Sequence, residues 1–262
     1  WQRLLTPEEI AEDAALLSGD KEPATALMAS WSADVGTVTG GTTIPDTSAY
    51  DRGDLTLSTT GAALDAESGL ITLDGVKGSA TATGPVIDET GSFTVAVSAS
   101  VDSAAVVAKG KDYRAQVAGQ RSAVSGTGSS WAIWYEQLDV TDGISTGVWK
   151  FGRTGVNGTG SSVTAVSTSV DSASTDTMVQ LTGVFDARDR SLRLYVDDVS
   201  QDDGTGLPVL GADQQGFGEL TAGRGRRGGA WGDWLTGTVS ELRVWAGAMN
   251  DQQIVQALEA GQ

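Results

Sequence analysis

The chain of 262 residues contains no cysteine and no histidine. The missing cysteine excludes disulfides and thiolate metal sites, and the missing histidine excludes a Ser–His–Asp catalytic triad and a histidine-ligated metal centre. Positive charge is scarce, because 17 lysines and arginines face 34 acidic residues and give a net charge of −17. Nucleic acids and anionic membranes would repel such a chain, and no apolar run approaches the roughly 20 residues of a membrane span. We therefore expect no nucleic-acid partner and no insertion into a membrane.

Proline is also rare, at 5 residues, whereas glycine is abundant, at 35. Together with many serines and threonines, this usage is typical of short strands joined by tight turns. From residue 24 onwards apolar and polar residues alternate, as in SFTVAVSASV, where Phe93, Val95 and Val97 share one face. WAIWYEQL, MVQLTGVFD and SLRLYVDD repeat this pattern between Gly-rich or Asp-rich segments. The pattern predicts about a dozen strands in two stacked antiparallel sheets.

The two ends of the chain share a different pattern. WQRLLTPEEI at the start and WAGAMNDQQI near the end each place a helix-capping residue five positions after a tryptophan, then a Glu or Gln, then an isoleucine. The residues concerned are Trp1, Thr6, Glu9 and Ile10 at the start, and Trp245, Asn250, Gln253 and Ile254 near the end. A capping box with a hydrophobic staple predicts a short helix that docks by one face. These two segments are the only ones that we predict to be helical.

Because the first segment resembles the end of the chain, we expect residues 1–22 to be the closing helix of a preceding repeat or a linker. Residues 23–262 would then form one domain. We expect the first helix to dock on this domain at the interface between successive modules, through an apolar stripe that begins at Ile10. The alternative is that the two segments share only what amphipathic helices have in common.

Four stretches resemble the laminin G-like, concanavalin A-like jelly rolls of secreted bacterial multi-domain proteins, in the family's order and over nearly all of residues 24–258. They are ASWSADVG with PDTSAYDRGDLTL, GLITLDGVKGSATATGPVIDETGSFTVAVSASVD, LTGVFDARDRSLRLYVDD, and GELTAGRG with WGDWLTGTVSELRVWAGAMNDQQI. The resemblance implies an all-β fold, an antiparallel β-sandwich jelly roll with short terminal helices. Gln180 stands where many members have histidine, and Asp198 replaces the common turn glycine, which leaves the turn type open.

The resemblance also implies a function: a non-catalytic, carbohydrate-binding module of a larger secreted or cell-surface protein. Its partners would be a glycan or a cell-surface protein, together with neighbouring domains of the same polypeptide. The alternative is a structural or adhesive spacer that binds protein or no ligand. Glycoside hydrolases of similar fold place two carboxylates on one strand, as in E-x-D-x-x-E, and this spacing does not occur here. Glu136 and Asp139 are three residues apart and face opposite sides of a strand, so we expect no enzyme.

An acidic loop is the candidate metal site. PDTSAYDRGD supplies Asp46, Asp51 and Asp54, and calcium prefers carboxylate and carbonyl oxygens on a bent loop. The resemblance implies a structural Ca²⁺ near this loop, with Asp34 and Glu241 as contributors from neighbouring strands. The alternative is that these aspartates serve the turn itself, since Asp and Ser populate turns for backbone reasons.

Six residues are candidates for ligand binding, because indole rings stack on the apolar faces of sugars while arginines supply hydrogen bonds. Trp134 alternates away from Trp131 and Ile133, so one of these two faces must meet solvent or a ligand. The other five lie near loop sequences, and they are Trp149, Trp231, Trp234, Arg224 and Arg226. The segment AWGDW, which contains Trp231 and Trp234, follows the two arginines closely, and we expect a local basic–aromatic patch that would suit an acidic or a neutral glycan. The alternative is that the tryptophans fill the sandwich and cover the edges of its sheets.

Overall fold

The computed structural model describes residues 6–7, 9–11, 24–33, 41–65, 67–122, 128–157, 160–169, 175–202, 206–209, 212–213, 216–227 and 229–259. From residue 24 onwards, these residues form twenty strands and two helices. In chain order the strands are β1 (Ala26–Trp31), β2 (Thr43–Ile44), β3 (Leu55–Leu57), β4 (Ala62–Asp65), β5 (Leu70–Asp74), β6 (Ala80–Ala82), β7 (Phe93–Val101), β8 (Arg114–Ser122), β9 (Ser129–Thr141), β10 (Ile144–Asn157), β11 (Gly160–Ser167), β12 (Val179–Asp186), β13 (Ser191–Val196), β14 (Val199–Ser200), β15 (Leu207–Pro208), β16 (Ala212–Asp213), β17 (Gly216–Ala222), β18 (Gly225–Arg227), β19 (Ala230–Gly232) and β20 (Thr236–Ala246). The helices are α1 (Ser103–Lys109) and α2 (Asp251–Glu259).

Two antiparallel sheets carry most of the described chain. Sheet A has the order β14-β13-β12-β7-β20-β5-β4, with β1 also paired to β20 and β15 to β13. Sheet B has the order β11-β10-β9-β8-β17-β6-β3-β2, with β16 also paired to β10, and β18 and β19 form a separate hairpin. The first and last long strands are neighbours, because β1 pairs with β20 from Ala26↔Ala246 to Trp31↔Leu242.

The alternating residues of both sheets meet in one hydrophobic core. Phe93 of β7 lies beside Phe185 of β12 and against Trp131 of sheet B, with ring centroids 5.7 and 5.8 Å apart. Val95 and Val97, which the alternation places on the face of Phe93, are also completely buried. The predicted two-layer antiparallel sandwich is therefore confirmed.

A second, smaller hydrophobic cluster lies on the outer face of sheet A, where α2 docks. Ile254 of α2 is 1% exposed and packs with Trp245 of β20 and Tyr195 of β13. The predicted capping box is present, because the backbone N–H of Gln253 donates to Asn250 Oδ1 at 2.8 Å and Gln253 Oε1 accepts from the N–H of Asn250 at 3.1 Å. The closing helix is thus fixed at its start and along its apolar side, as predicted.

The first helical segment has the same cap but a different environment. The N–H of Glu9 donates to Thr6 Oγ1 at 3.2 Å, and the N–H of Thr6 donates to Glu9 Oε2 at 2.8 Å. Ile10 is 56% exposed, so the expectation that this residue packs on the domain is wrong. Residues 1–5, 8 and 12–23 lie outside the described part of the chain, and the assignment of residues 1–22 to a preceding repeat stays a prediction.

One short helix and the type of one turn were not predicted from the sequence. Helix α1 was not predicted, because its seven residues are rich in the β-branched and small residues that also suit strands; Asp102 caps it by accepting the N–H of Ala105 at 2.8 Å. The turn whose type Asp198 left open has φ values of 48° at Asp197 and 73° at Asp198. Aspartate tolerates this left-handed region, so the hairpin forms without glycine.

Candidate functional site

The outer face of sheet B carries many polar and charged side chains, whereas α2 covers an apolar cluster on the outer face of sheet A. The inward set of β9 includes Trp131 and Ile133, so the intervening positions point outward, next to outward positions of β8 and β10. The outward residues include Arg114 and Gln116 of β8, Trp134 and Glu136 of β9, Lys150 of β10 and Thr221 of β17. The β18–β19 hairpin and the residues that flank it lie against this face.

Four of the predicted ligand residues come together at this hairpin, and we call them the basic–aromatic cluster: Arg224, Arg226, Trp231 and Trp234. The guanidinium carbon of Arg224 lies 3.9 Å from the ring centroid of Trp231 and 6.0 Å from that of Trp234. The guanidinium carbon of Arg226 lies 5.1 Å from the ring centroid of Trp231. All four side chains are partly exposed. The sequence thus predicted both the members of the cluster and their proximity.

Hydrogen bonds from the sheet hold the backbone of the cluster in place. Gln116 Nε2 donates to the carbonyl oxygen of Arg224 at 2.8 Å, and Thr221 Oγ1 donates to the same oxygen at 2.9 Å. The phenol of Tyr113 donates to the carbonyl oxygen of Trp234 at 2.5 Å and accepts the N–H of Thr236 at 3.1 Å. Burial raises the pKa of Tyr113 to about 12, so this phenol stays protonated and keeps its donor. The cluster is therefore preformed.

Most cations on this face have a carboxylate partner. Arg114 lies 3.2 Å from Asp233, Arg121 lies 2.6 Å from Glu219, and Lys150 lies 2.9 Å from Glu136. Burial raises the pKa of Glu136 and of Glu219, but hydrogen bonds and nearby cations outweigh it and lower both pKa values overall. Both carboxylates are thus held ionised, which does not suit a general acid.

Trp134 and Trp149 are buried, contrary to the expectation that they bind ligand directly. Trp134 does point outward, but it is only 3% exposed because the guanidinium carbon of Arg114 covers its ring at 4.1 Å. Its indole N–H donates to Glu136 Oε2 at 3.3 Å. Trp149 is completely buried in the main core, where its ring lies 5.4 Å from that of Tyr135. The alternation of residues along a strand predicts on which face of the sheet a side chain lies, but not which other residues cover that face.

The predicted metal ligands do not converge in the described residues. Asp46 Oδ1 accepts the N–H groups of Ser30 and Ser48, each at 2.9 Å. Its Oδ2 accepts Ser48 Oγ at 3.0 Å and the N–H of Arg52 at 2.6 Å, so all of its lone pairs have donors. Asp46 therefore orders the loop, which is the alternative that the sequence left open.

The three other predicted ligands that the structure describes do not form a shared site with Asp46. Asp51 and Asp54 are exposed, Glu241 lies 2.9 Å from Arg243, and Asp34 is outside the described residues. No group of three or more acidic side chains within the described ranges is placed to share a metal ion. The described ligands do not fit a shared calcium ion as they stand, and calcium binding stays a prediction.

A buried polar network was not singled out from the sequence. Glu89 is completely buried, and its carboxylate accepts hydrogen bonds from Gln120 Nε2 at 2.5 Å, Ser130 Oγ at 2.6 Å and the N–H of Gly216 at 2.6 Å. Burial raises the pKa of Glu89 although these donors and Arg153 oppose the effect. The sequence feature that could have revealed this network is the presence of two polar residues, Gln120 and Arg153, at inward-facing strand positions. Through these hydrogen bonds the buried carboxylate links β8, β9 and β17.

Comparison with known proteins agrees with the fold. The chain is similar over 88% of its length to 32% of Trypanosoma rangeli sialidase, at 17% identity and a TM-score of 0.59. It is similar over 90% of its length to 51% of the botulinum neurotoxin type G receptor binding domain, at 12% identity and a TM-score of 0.59. The chain thus spans about a third to a half of these solved structures, and identities this low show the fold alone. No curated protein matches the chain.

The described helices are too short or too polar to cross a membrane. A family model described as the concanavalin A-like lectin/glucanases superfamily matches residues 73–255, which is most of the chain. The matched range includes the central strands β7 to β13, the basic–aromatic cluster and the start of α2. By this match the chain belongs to the Laminin_G_3 family of concanavalin A-like jelly-roll domains.

Proposed function

We propose that this chain is a non-catalytic, carbohydrate-binding module of a larger secreted or cell-surface protein, and that the outer face of sheet B binds the sugar. The observation that carries the proposal is the meeting of Arg224 with both Trp231 and Trp234, at 3.9 and 6.0 Å. Partly exposed indole rings offer flat apolar surfaces, and guanidinium groups offer directed donors beside them. Because the surface is preformed, a sugar bound by ring stacking and hydrogen bonds would cause little loss of conformational entropy in the protein.

The similar proteins include binding proteins as well as enzymes. The family description combines lectins with glucanases, and one similar structure is named as a receptor binding domain. A shared fold is weak support for a shared ligand, so the proposal depends on the cluster and not on the names. The non-catalytic part of the proposal is supported by Glu136 and Glu219, whose lowered pKa values do not suit proton donation.

The second candidate is a structural or adhesive spacer that binds protein or no ligand. One contact favours it: the guanidinium of Arg224 stacks on Trp231 at 3.9 Å and so occupies one face of this ring. A tryptophan used in this way stabilises its own loop. The two candidates differ in whether the remaining surface of Trp231 and Trp234 is used by a ligand.

A glycan array followed by titration calorimetry separates the two candidates. We expect the wild-type chain to bind at least one class of saccharide, and Trp231→Ala and Trp234→Ala each to weaken binding at least about tenfold. Tyr50→Ala is the matched control, because Tyr50 is a 53% exposed aromatic residue in the loop that follows β2. An array without binding would refute the proposal and favour the spacer. Binding that both tryptophan variants retain would refute the assignment of the sugar site to Trp231 and Trp234.

A further inference from the structure

Two positive charges of the basic–aromatic cluster have no carboxylate partner among the described residues. Arg224 makes one side-chain hydrogen bond, from Nη2 to Thr81 Oγ1 at 3.3 Å, and Arg226 donates to the carbonyl oxygen of Gly229. Neither arginine forms an ion pair with a described Asp or Glu. By contrast, three other cations of the same face are each paired at 2.6 to 3.2 Å.

The two arginines are also close enough to repel each other. Partial burial lowers the pKa of Arg224, the nearby Glu219 opposes this effect, and the charge of Arg226 lowers the pKa further. Glu219 itself is engaged with Arg121 at 2.6 Å. A local excess of positive charge therefore remains, in a chain whose net charge is −17. An anion placed between or beside the two guanidinium groups would relieve this repulsion.

We propose that the basic–aromatic cluster binds acidic saccharides, that is, sugar chains that carry carboxylate or sulfate groups. This inference rests on the proposed carbohydrate-binding function and adds the charge of the ligand to it. A guanidinium presents a planar fork of N–H donors that matches two oxygens of a carboxylate or sulfate. Trp231 and Trp234 lie beside the guanidinium of Arg224 and would contact the apolar face of the same sugar ring or of the adjacent one.

The acidic remainder of the molecule adds selectivity. A polyanionic chain would be repelled by the net negative charge of the molecule and attracted near Arg224 and Arg226, which favours binding at this cluster. A neutral sugar would not gain from the two charges. The ion-pair part of the binding should weaken as salt is added, since exposed charges are screened over about 10 Å at 0.1 M.

The experiment compares three probes on the intact chain by titration calorimetry: an oligogalacturonate for carboxylates, a heparin oligosaccharide for sulfates and maltohexaose for a neutral chain. We expect binding of an acidic probe that is at least about tenfold tighter than that of maltohexaose. Arg224→Gln and Arg226→Gln should each weaken acidic binding about 10- to 100-fold, the size of a charge-assisted contact. The matched control is Lys111→Gln, which removes one exposed charge between α1 and β8.

The outcomes distinguish this inference from the function on which it rests. If maltohexaose binds as tightly as the acidic probes, or if both arginine variants retain wild-type acidic binding, the inference fails while carbohydrate binding stands. If no saccharide binds here or on the array, both fail. Preference for galacturonate over heparin, or the reverse, assigns the anionic group to a carboxylate or a sulfate. Salt dependence of wild-type binding gives a second readout should an arginine variant fold poorly, and salt-independent binding would overturn the inference.

Discussion

The two outer faces of the sandwich are built from the same alternating strands but end up in different environments. On sheet A the outward residues Ala96, Val184 and Trp245 are apolar, and α2 covers them with Ile254. On sheet B the outward residues include charged ones such as Arg114, Glu136 and Lys150, and the nearby Trp231 and Arg224 are partly exposed. The periodicity decides that a residue points outward, but it does not decide what covers that residue, since Arg243 on the outer face of sheet A is only 7% exposed.

The substitution with the largest expected effect on this comparison is Ile254→Asp. It places an unpaired charge in the cluster between α2 and sheet A, and we expect it to lower the free energy of unfolding by about 3–5 kcal/mol. Val255→Asp is the matched control, because Val255 is 37% exposed on the same helix and should cost much less. Urea denaturation measures both. Equal losses would show that the outer face of sheet A does not depend on the packing of α2.

The next test is Trp134→Ala beside Trp231→Ala on sheet B. Trp134 is 3% exposed under Arg114, so its removal should lower the free energy of unfolding by about 3 kcal/mol. Trp231 is partly exposed, and its removal should cost about 1 kcal/mol while weakening saccharide binding more strongly. Urea denaturation and calorimetry measure the two effects. Should Trp134→Ala leave stability unchanged, the buried outer position of that ring would be wrong.

Asp46→Ala tests whether the acidic loop needs a metal ion. The variant removes an acceptor used by four donors, and we expect it to lower the free energy of unfolding by about 2 kcal/mol, equally in calcium and in EDTA. Asp54→Ala is the control, since Asp54 is exposed. Wild-type stability that rises in calcium, and loses this rise in Asp46→Ala, would instead support a bound ion at Asp46.

The smallest expected effect is that of Ile10→Asp. Ile10 has the same capping pattern as Ile254 but is 56% exposed, so its substitution should change the free energy of unfolding by less than about 0.5 kcal/mol. In a longer chain that includes a preceding module, the hypothesis of a closing helix predicts a loss of several times that size. A loss of 2 kcal/mol in the present chain would mean that the first helix docks here after all.

The parts of the fold that depend on local pattern could be predicted from the sequence. The alternation around Phe93 gave the sheet and its inward face, and the caps at Asn250 and Thr6 gave the starts of both terminal helical segments. The environment of Ile10 could not be predicted, because a helix with an apolar stripe specifies that it can dock but not the surface on which it does so. Helix α1 was missed because seven residues give too short a periodic signal.

Part of the candidate site could also be predicted from local sequence, and part of it could not. Nearby positions in the chain, Arg224 with Trp231 and Trp234, were predicted to lie together and do so. Trp134 was assigned to the correct side of its strand, yet Arg114 comes from another strand and covers it, which no local pattern shows. The same holds for Asp46, whose donor Ser30 lies 16 residues earlier in β1 and competes with any metal for the carboxylate.

The pairing of β1 with β20 has a mechanical consequence. Ala26 lies opposite Ala246, so the start of β1 and the end of β20 lie at the same end of one strand pair. A pulling force applied at Ala26 and Ala246 would break the hydrogen bonds between β1 and β20 one after another, from this end of the pair to the other. A domain pulled at these two residues would lengthen under low force by releasing β1 before the rest of the sandwich yields.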